Sequence, residues 1–175
     1  PTGDRFKHTD RQLEILDGLK SLARERGLWN FWLTDSERGY GLSTVEYAYL
    51  AEEMGKVGIA AEVFNCNAPD TGNMEVLERY GTQEHKDRWL NDLLDGKIRS
   101  AYVMTEPNTA SSDAAHLSFQ AKKDGDTWFL TGEKWWIPGS GDPLCALFIV
   151  MACSDPIDQN HSLHTIFVMY VATPV

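Results

Sequence analysis

Residues 105–112 carry the side chains best suited to binding a charged ligand. Thr105 follows a short apolar stretch and offers a hydroxyl that can donate or accept a hydrogen bond. Ala110, Ser111 and Ser112 supply small side chains, backbone N–H groups and two hydroxyls, which suit the pyrophosphate of a cofactor. An ordinary serine-rich turn capped by Asp113 explains the same residues, and composition alone favours that second interpretation.

The other reactive side chains form no recognisable catalytic or metal-binding pattern. Glu106 lies in a Thr-Glu-Pro turn, where we expect a structural or solvent-facing role, and Asp113 has the position of a turn or cap residue. The five histidines lack the partner spacing of a catalytic triad or a metal site. They are His8, His85, His116, His161 and His164. The sequence therefore predicts neither a metal centre nor a complete set of catalytic groups.

Composition excludes several classes of protein. A formal charge of −10 argues against binding to nucleic acid or to an anionic membrane surface, since both need a basic face. The longest apolar run, residues 145–153, has the length of a buried strand and is too short to span a bilayer. Cys66, Cys145 and Cys153 are widely spaced and odd in number, which indicates free thiols in a reducing compartment. We expect a soluble, intracellular protein of unassigned compartment.

Up to about residue 98 the apolar residues recur at helical spacing. Ser43 and Glu46 form a capping box, Asp70 or Thr71 is placed to cap a third helix, and Thr82 to cap a fourth. The predicted helices run from Leu13 to Gly27, from Ser43 to Met54, from Asp70 to Tyr80 and from Thr82 to Gly96. This pattern predicts a helical-bundle domain at residues 1–98.

After Arg99 the period changes to two, and Asp124-Gly125 is a strong hairpin signal. The further predicted strands are Thr127–Thr131, Glu133–Ile137, Cys145–Ala152 and Thr165–Val171. The segment from Ser154 to Ser162, which includes Pro156, is predicted to be a loop. A helical half followed by a strand half indicates an α-then-β arrangement, with a β domain at residues 99–175.

Three motifs together resemble the acyl-CoA dehydrogenase family. They are Tyr102-Val-Met-Thr-Glu-Pro-Asn-Thr-Ala-Ser-Ser-Asp113, Glu133-Lys-Trp-Trp-Ile-Pro-Gly139, and Asn65-Cys-Asn-Ala-Pro-Asp-Thr-Gly-Asn-Met-Glu-Val-Leu77, the last resembling the branch joined to kinase-like domains. The resemblance runs from about Leu13 to Val175. It implies an N-terminal helical bundle and a partial antiparallel β-barrel or sandwich that stops before the family's C-terminal helical domain.

The resemblance implies a set of residues that contact FAD. They are Tyr102, Met104, Thr105, Ser111, Ser112, Trp136, Ile137 and Pro138, with Ser112 also bordering the pantetheine arm of the substrate. Trp136 matches the aromatic residue that lies against the flavin ring. Its neighbour Trp135 is expected in the core, because adjacent strand residues face opposite sides. The motif is one residue longer here before its final serine, so Ser111 and Ser112 align less closely than Thr105.

Pro138 departs from the family pattern, and the catalytic base is missing. Many members carry Ser or Thr at this position, with a hydroxyl that hydrogen-bonds the reactive edge of the flavin, whereas proline has neither a hydroxyl nor an N–H. Either backbone groups of Ile137 or Gly139 serve instead, or hydride acceptance is weakened. The resemblance implies that the general base, a glutamate, lies beyond Val175, so this chain holds no catalytic residue of its own.

Three functions follow from these expectations. The first is FAD-dependent α,β-dehydrogenation of an acyl-CoA, with this chain supplying the flavin shelf and part of the acyl pocket. The second is a non-catalytic or partner-dependent relative that binds flavin or acyl-CoA, and the third is an oxidase on the same scaffold. The family also implies a homo-oligomer, commonly a dimer or tetramer, or a second chain that supplies the C-terminal domain.

Overall fold

The computed structural model describes residues 7–34, 38–158 and 161–171. The chain divides into two compact units, residues 1–97 and residues 98–175. The first is helical and the second contains a single mixed sheet, so the predicted order of a helical part followed by a strand part is confirmed. No helix within the described ranges combines the length and the hydropathy that a membrane span requires.

In the described part of the helical unit, four separate helices precede a longer helical run. They are α1 (Asp10–Glu25), α2 (Thr44–Gly55), α3 (Ala60–Val63) and α4 (Asp70–Tyr80), followed by a continuous run of α5 (Gln83–His85), a π-helical turn (Lys86–Leu90) and α6 (Asn91–Leu94). The predicted capping box of Ser43 and Glu46 is present, and the Thr82 hydroxyl accepts a hydrogen bond from the N–H of His85. Both helix starts were therefore predicted correctly from local sequence.

The predicted cap of α4 is wrong. Neither Asp70 nor Thr71 is the cap residue; Pro69 holds that position and makes no side-chain hydrogen bond. The N–H of Thr71 already donates to the carbonyl of Asn67 at 2.9 Å, so the backbone turns before the helix begins. A side-chain acceptor is not required there. Asp70 is instead the buried first residue of the helix.

Two asparagines close the end of the last helix. Asn30 and Asn65 adopt left-handed backbone conformations, with φ of 57° and 54°. Asn65 Nδ2 donates to Asn30 Oδ1 at 2.7 Å and to the Leu93 carbonyl at 3.0 Å, while Asn30 Nδ2 donates to the Leu94 carbonyl at 2.7 Å. These bonds satisfy carbonyls that a helix end leaves without intrahelical partners. The Asn65 motif is thus a structural element of the helical unit.

The described residues of the second unit form five strands. They are β1 (Arg99–Val103), β2 (Gln120–Asp124), β3 (Thr127–Thr131), β4 (Cys145–Asp158) and β5 (His161–Tyr170). The order is β1-β4-β2-β3, with β5 also paired to β4. β1 pairs with β4 in parallel and β2 meets β4 in parallel at Gln120 and Cys153, whereas β2–β3 and β4–β5 are antiparallel. The sheet is therefore mixed, not antiparallel throughout.

The hairpin predicted at Asp124-Gly125 is present: Asp124 pairs with Thr127, and Gly125 has a φ of 57°. β4 supplies the centre of the core, where Leu147 and Ile149 are fully buried. None of the three cysteines forms a disulfide, in agreement with the prediction from their number and spacing, and all three are buried. A cluster of buried residues, Ala101, Val103, Cys145 and Val150, is covered by Phe119, Ile137, Phe148 and Phe167.

Two predicted segments are wrong. Residues 133–137 form no strand, because Gly132 turns the chain at a φ of 140° and Trp136 has a left-handed φ of 51°, which a strand cannot contain. The predicted loop at 154–162 is occupied by the ends of β4 and β5, apart from residues 159 and 160, which lie outside the described ranges. Register shifts near Pro156 allow a strand to accommodate a proline.

Candidate functional site

The candidate site lies where β1 ends, in the second unit. Tyr102 is half-buried and its hydroxyl donates to Met151 Sδ at 3.5 Å; burial raises the pKa of that hydroxyl. The exposed Thr105 follows two residues after the strand. The Thr105 carbonyl accepts a hydrogen bond from the N–H of Trp135 at 3.1 Å, which brings the tryptophan segment alongside the end of β1.

Glu106 is buried, so the solvent-facing role that we had allowed for it is wrong and the structural role remains. Its Oε2 accepts from the N–H and hydroxyl of Ser118 at 2.8 and 2.6 Å, and its Oε1 accepts from the N–H of Phe119 at 3.0 Å. Lys134 Nζ donates to the same Oε1 at 2.9 Å. Burial opposes ionisation, but the hydrogen bonds from Ser118, Lys134 and Phe119 outweigh it and lower the pKa of Glu106 to about 2.

Lys134 is a functional candidate that sequence reasoning missed. Its ammonium donates to the Met104 carbonyl at 2.7 Å as well as to Glu106, and the two charged side chains are only 6% and 2% exposed. The ring centroid of Phe119 lies 5.0 Å from the ammonium. The sequence did carry one signal for it: Lys134 directly precedes two tryptophans, and a lysine buried among such residues needs a charged partner.

Trp136 combines two unusual properties. It has a left-handed φ of 51°, which is uncommon for a bulky residue, and 78% of its surface is exposed. Trp135 is 45% exposed, so its expected place in the core is wrong. The left-handed residue interrupts strand alternation and leaves the two rings in edge-to-face contact, with centroids 6.0 Å apart. The chain therefore presents an apolar aromatic face to solvent beside Thr105.

Ser111 and Ser112 occupy different environments. The buried Ser111 hydroxyl accepts a hydrogen bond from the Glu106 N–H at 2.9 Å and so supports the Thr-Glu-Pro turn. Ser112 is exposed. Asp113 Oδ1 accepts from the Ala115 N–H at 3.0 Å and caps a short 3-10 turn, Ala114–His116, as its position predicted.

Ile137 and Pro138 complete the tryptophan segment. Ile137 packs against the core cluster, and its carbonyl accepts from the N–H and the hydroxyl of Ser140 at 3.3 and 2.9 Å. Pro138 is exposed and offers neither a hydroxyl nor an N–H. The Ser140 hydroxyl and the Ile137 carbonyl, on either side of Pro138, are thus already hydrogen-bonded to each other.

The arrangement can bind a flat, partly apolar ligand, but none of its described side chains is an evident proton acceptor. Hydrogen bonds from Lys134 and Trp135 join the segment that carries Trp136 to Met104 and Thr105. Glu106 is ionised at neutral pH, yet both its oxygens accept hydrogen bonds, which makes the carboxylate a poor base. Among the residues that the structure describes, no group of three or more His, Cys, Asp or Glu is placed to hold a metal ion.

Comparison with known proteins gives the family of this fold. Residues 4–97 match the acyl-CoA dehydrogenase N-terminal domain and residues 101–174 match the acyl-CoA dehydrogenase middle domain. The mouse (Mus musculus) acyl-CoA dehydrogenase family member 10 is 46% identical over 165 residues, covering 91% of this chain and 15% of that protein. The chain therefore spans less than a fifth of the length of that curated relative.

Solved structures agree with this result. A structure from Mycobacterium abscessus, provisionally assigned as an acyl-CoA dehydrogenase, superposes with a TM-score of 0.87 at 48% identity, covering 97% of this chain and 41% of that one. A glutaryl-CoA dehydrogenase from Mycobacterium smegmatis in complex with FADH2 gives a TM-score of 0.62 at 26% identity, covering 89% and 39%. With both domain profiles matched in order along a mixed-sheet fold, this chain belongs to the acyl-CoA dehydrogenase family.

Proposed function

We propose that this chain takes part in the FAD-dependent α,β-dehydrogenation of an acyl-CoA thioester, supplying the flavin shelf and part of the acyl pocket. The observation that carries the proposal is the exposed, left-handed Trp136, which directly follows the residue whose N–H donates to the Thr105 carbonyl. A large aromatic residue held out to solvent in a strained conformation is a feature that persists at ligand sites. The glutaryl-CoA dehydrogenase of similar fold was solved with FADH2, which supports a flavin as the ligand.

The residues at the end of β1 fit such a cofactor. Tyr102, Met104 and Thr105 would offer backbone groups and a hydroxyl to the polar edge of the ring, and Trp136 would cover one face of it and exclude water. Ser112, being exposed, is available to the pyrophosphate and to the pantetheine arm. Ser111 would act indirectly, because its hydroxyl already accepts the Glu106 N–H.

The proton acceptor is proposed to come from outside these 175 residues. Bound FAD would supply hydride acceptance, and the protein would contribute orientation and electrostatics. Glu106 does not fit the role of base, because it is buried and its oxygens accept hydrogen bonds from Ser118, Phe119 and Lys134. We therefore propose a carboxylate from a C-terminal helical domain, in the same chain or in a second one, and a homo-oligomeric assembly.

A second candidate function is a subunit that binds flavin or acyl-CoA without turnover. Pro138 favours it, because this residue lacks the groups that would bond the reactive edge of a flavin, and the nearby Ser140 hydroxyl donates to the Ile137 carbonyl. Replacing Pro138 with threonine restores a hydroxyl and an N–H at this position. Reduction of bound flavin by acyl-CoA in Pro138→Thr, under conditions in which the unmodified protein leaves its flavin oxidised, would support this second candidate.

The test of the main proposal is a visible absorption spectrum of the purified protein, followed by anaerobic titration with acyl-CoAs of several chain lengths. We expect bound FAD whose absorbance bleaches when a suitable acyl-CoA and the base-bearing domain are both present. Flavin that remains oxidised with every acyl-CoA under those conditions would favour the binding subunit. Protein that retains no FAD during purification and takes up none on addition would contradict the main proposal and the flavin-binding form of the second candidate, leaving only a subunit that binds acyl-CoA.

A further inference from the structure

We propose that Lys134 and Glu106 form a positioning pair that holds Trp136 at a fixed place relative to the end of β1. The inference rests on the proposed function, because that function makes the spacing between Trp136 and Thr105 the width of the flavin site. Neither residue would touch the flavin. Their effect on it would pass through the backbone segments that carry Trp136 and Thr105.

Three hydrogen bonds join the tryptophan segment to the end of β1. Lys134 Nζ donates to the Met104 carbonyl at 2.7 Å and to Glu106 Oε1 at 2.9 Å, and the Trp135 N–H donates to the Thr105 carbonyl at 3.1 Å. Two consecutive residues on one segment thus contact three consecutive residues on the other. Such an arrangement fixes the distance between the two segments and the direction in which the backbone continues to the next residue, Trp136.

The acceptor of the lysine is itself immobilised. Glu106 accepts hydrogen bonds from the backbone N–H groups of Ser118 and Phe119 at 2.8 and 3.0 Å, so its carboxylate is tied to the backbone that leads into β2. The Lys134 ammonium also lies 5.0 Å from the centre of the Phe119 ring. A long lysine side chain loses much rotamer freedom when it is held in one conformation. Here it is held by a backbone carbonyl, that of Met104, and by a carboxylate that is itself hydrogen-bonded to the backbone.

The backbone of Trp136 needs such support. Its left-handed φ of 51° is unfavourable for a residue with a side chain, and strain of this kind persists only where the surrounding structure holds it. Lys134 anchors the chain two residues before Trp136. On the other side, the Ile137 carbonyl accepts from the N–H and hydroxyl of Ser140, and Ile137 packs against the core. Removing the first anchor should let Trp136 relax.

A purely structural salt bridge would explain the burial of the two charges but makes a different prediction. If the pair only stabilises the fold, replacing both residues with neutral ones of similar size should leave the geometry of the site unchanged and recover most of the lost stability, because no unpaired charge remains, although one backbone N–H that Glu106 accepts would face the amide nitrogen of the glutamine. If the pair positions Trp136, the same double variant should recover stability but not the geometry of the site. The double variant Glu106→Gln/Lys134→Met therefore separates the two roles.

The experiment compares the unmodified protein with Lys134→Met, Lys134→Arg, the double variant, and Lys122→Met as a matched control on the exposed face of β2. Two quantities are measured: the dissociation constant of added FAD, and the far-UV exciton signal of the Trp135–Trp136 pair, whose rings lie 6.0 Å apart at 76°. Trp136→Phe identifies that signal, which needs no bound flavin.

Lys134→Met and the double variant should each lose at least about half of the exciton signal and weaken FAD binding about tenfold, because FAD would then have to order Trp136 as it binds. Lys134→Arg should largely restore both, and Lys122→Met should change neither. A double variant with unaltered exciton signal and FAD affinity would overturn the proposal, even if Lys134→Met alone failed to fold. If the unmodified protein binds no FAD, the proposed function fails, and the exciton signal still decides whether Lys134 positions Trp136.

Discussion

Replacing Glu106 with glutamine should destabilise the β unit strongly at neutral pH and much less in acid. The hydrogen bonds from Ser118, Lys134 and Phe119 lower the pKa of Glu106 from its ordinary value of 4.5 to about 2. At about 1.4 kcal/mol per pH unit, this difference corresponds to about 3 kcal/mol in favour of the ionised folded state. The loss expected on breaking one side of a buried ion pair, about 3–5 kcal/mol, is of the same size.

The direction of the pH dependence follows from the lowered pKa. Because the folded-state pKa lies below the unfolded-state value, the stabilisation is fully present above pH 4.5, declines as the pH falls, and is lost near pH 2. The unfolding free energies of the unmodified protein and of Glu106→Gln should therefore differ by about 3 kcal/mol at pH 7 and by about 1–2 kcal/mol at pH 3.

Native-state hydrogen exchange measured on the peptide covering 99–106 reports this difference for the β unit alone. The matched control is Glu133→Gln, which removes an exposed carboxylate from the same segment as Lys134 and should change the opening free energy by less than about 0.5 kcal/mol. A loss below about 1 kcal/mol in Glu106→Gln at pH 7, or one that does not shrink in acid, would refute the reasoning.

Three further substitutions test other parts of the structure. Trp136→Asn, which tolerates a left-handed φ, should keep or raise the unfolding free energy by up to about 1 kcal/mol in denaturant titration while weakening FAD binding in the same preparation. Gly132→Ala should lower the thermal midpoint of the β unit by the equivalent of about 1–3 kcal/mol, because φ is 140° and a Cβ would lie 2.8 Å from Phe119 Cδ2. Asn65→Ala should destabilise the helical unit by about 1–3 kcal/mol in urea titration followed by circular dichroism, since the Leu93 carbonyl loses a donor.

Each of these has a matched control or a contrary outcome. Gly72→Ala, in the first turn of α4 with open space around the new Cβ, should be neutral or stabilise by up to about 1 kcal/mol. A Gly132→Ala variant as stable as Gly72→Ala would show that the close approach to Phe119 is unimportant. Clear destabilisation by Trp136→Asn, or an unchanged FAD affinity, would contradict the view that the left-handed Trp136 lowers the stability of the fold and strengthens FAD binding. An Asn65→Ala variant of normal stability would remove the role assigned to its amide.

The features that could be predicted from sequence are those specified by neighbours along the chain. A capping box needs only Ser43 and Glu46, three residues apart, and the hairpin needs only Asp124 and Gly125 between two strands. Thr105 and Trp136 were identified through the family motifs, and the structure brings their segments together. Their contact with FAD remains a prediction.

The errors arose where distant contacts decide the conformation. The aromatic and β-branched residues at 135–137 favour a strand, but the left-handed φ of Trp136 depends on anchors at Met104 and Glu106, about thirty residues earlier. The same contacts expose Trp135, which alternation alone would bury. The parallel pairing of β1 with β4 likewise cannot be predicted from neighbouring residues, because it depends on which distant strand is available to pair with the edge of β1.

That parallel pairing also sets the order in which the site can assemble. β1, which leads directly into Met104 and Thr105, has β4 as its neighbour in the sheet, and Arg99 of β1 meets Cys145 of β4. Contacts between residues so far apart in sequence form slowly, because the intervening chain must first be closed into a loop. During synthesis from the N-terminus, the helical unit can fold early, while the end of β1 has no sheet partner until β4 has been translated. The proposed flavin shelf is thus one of the last parts of this chain to form, although its sequence begins well before β4.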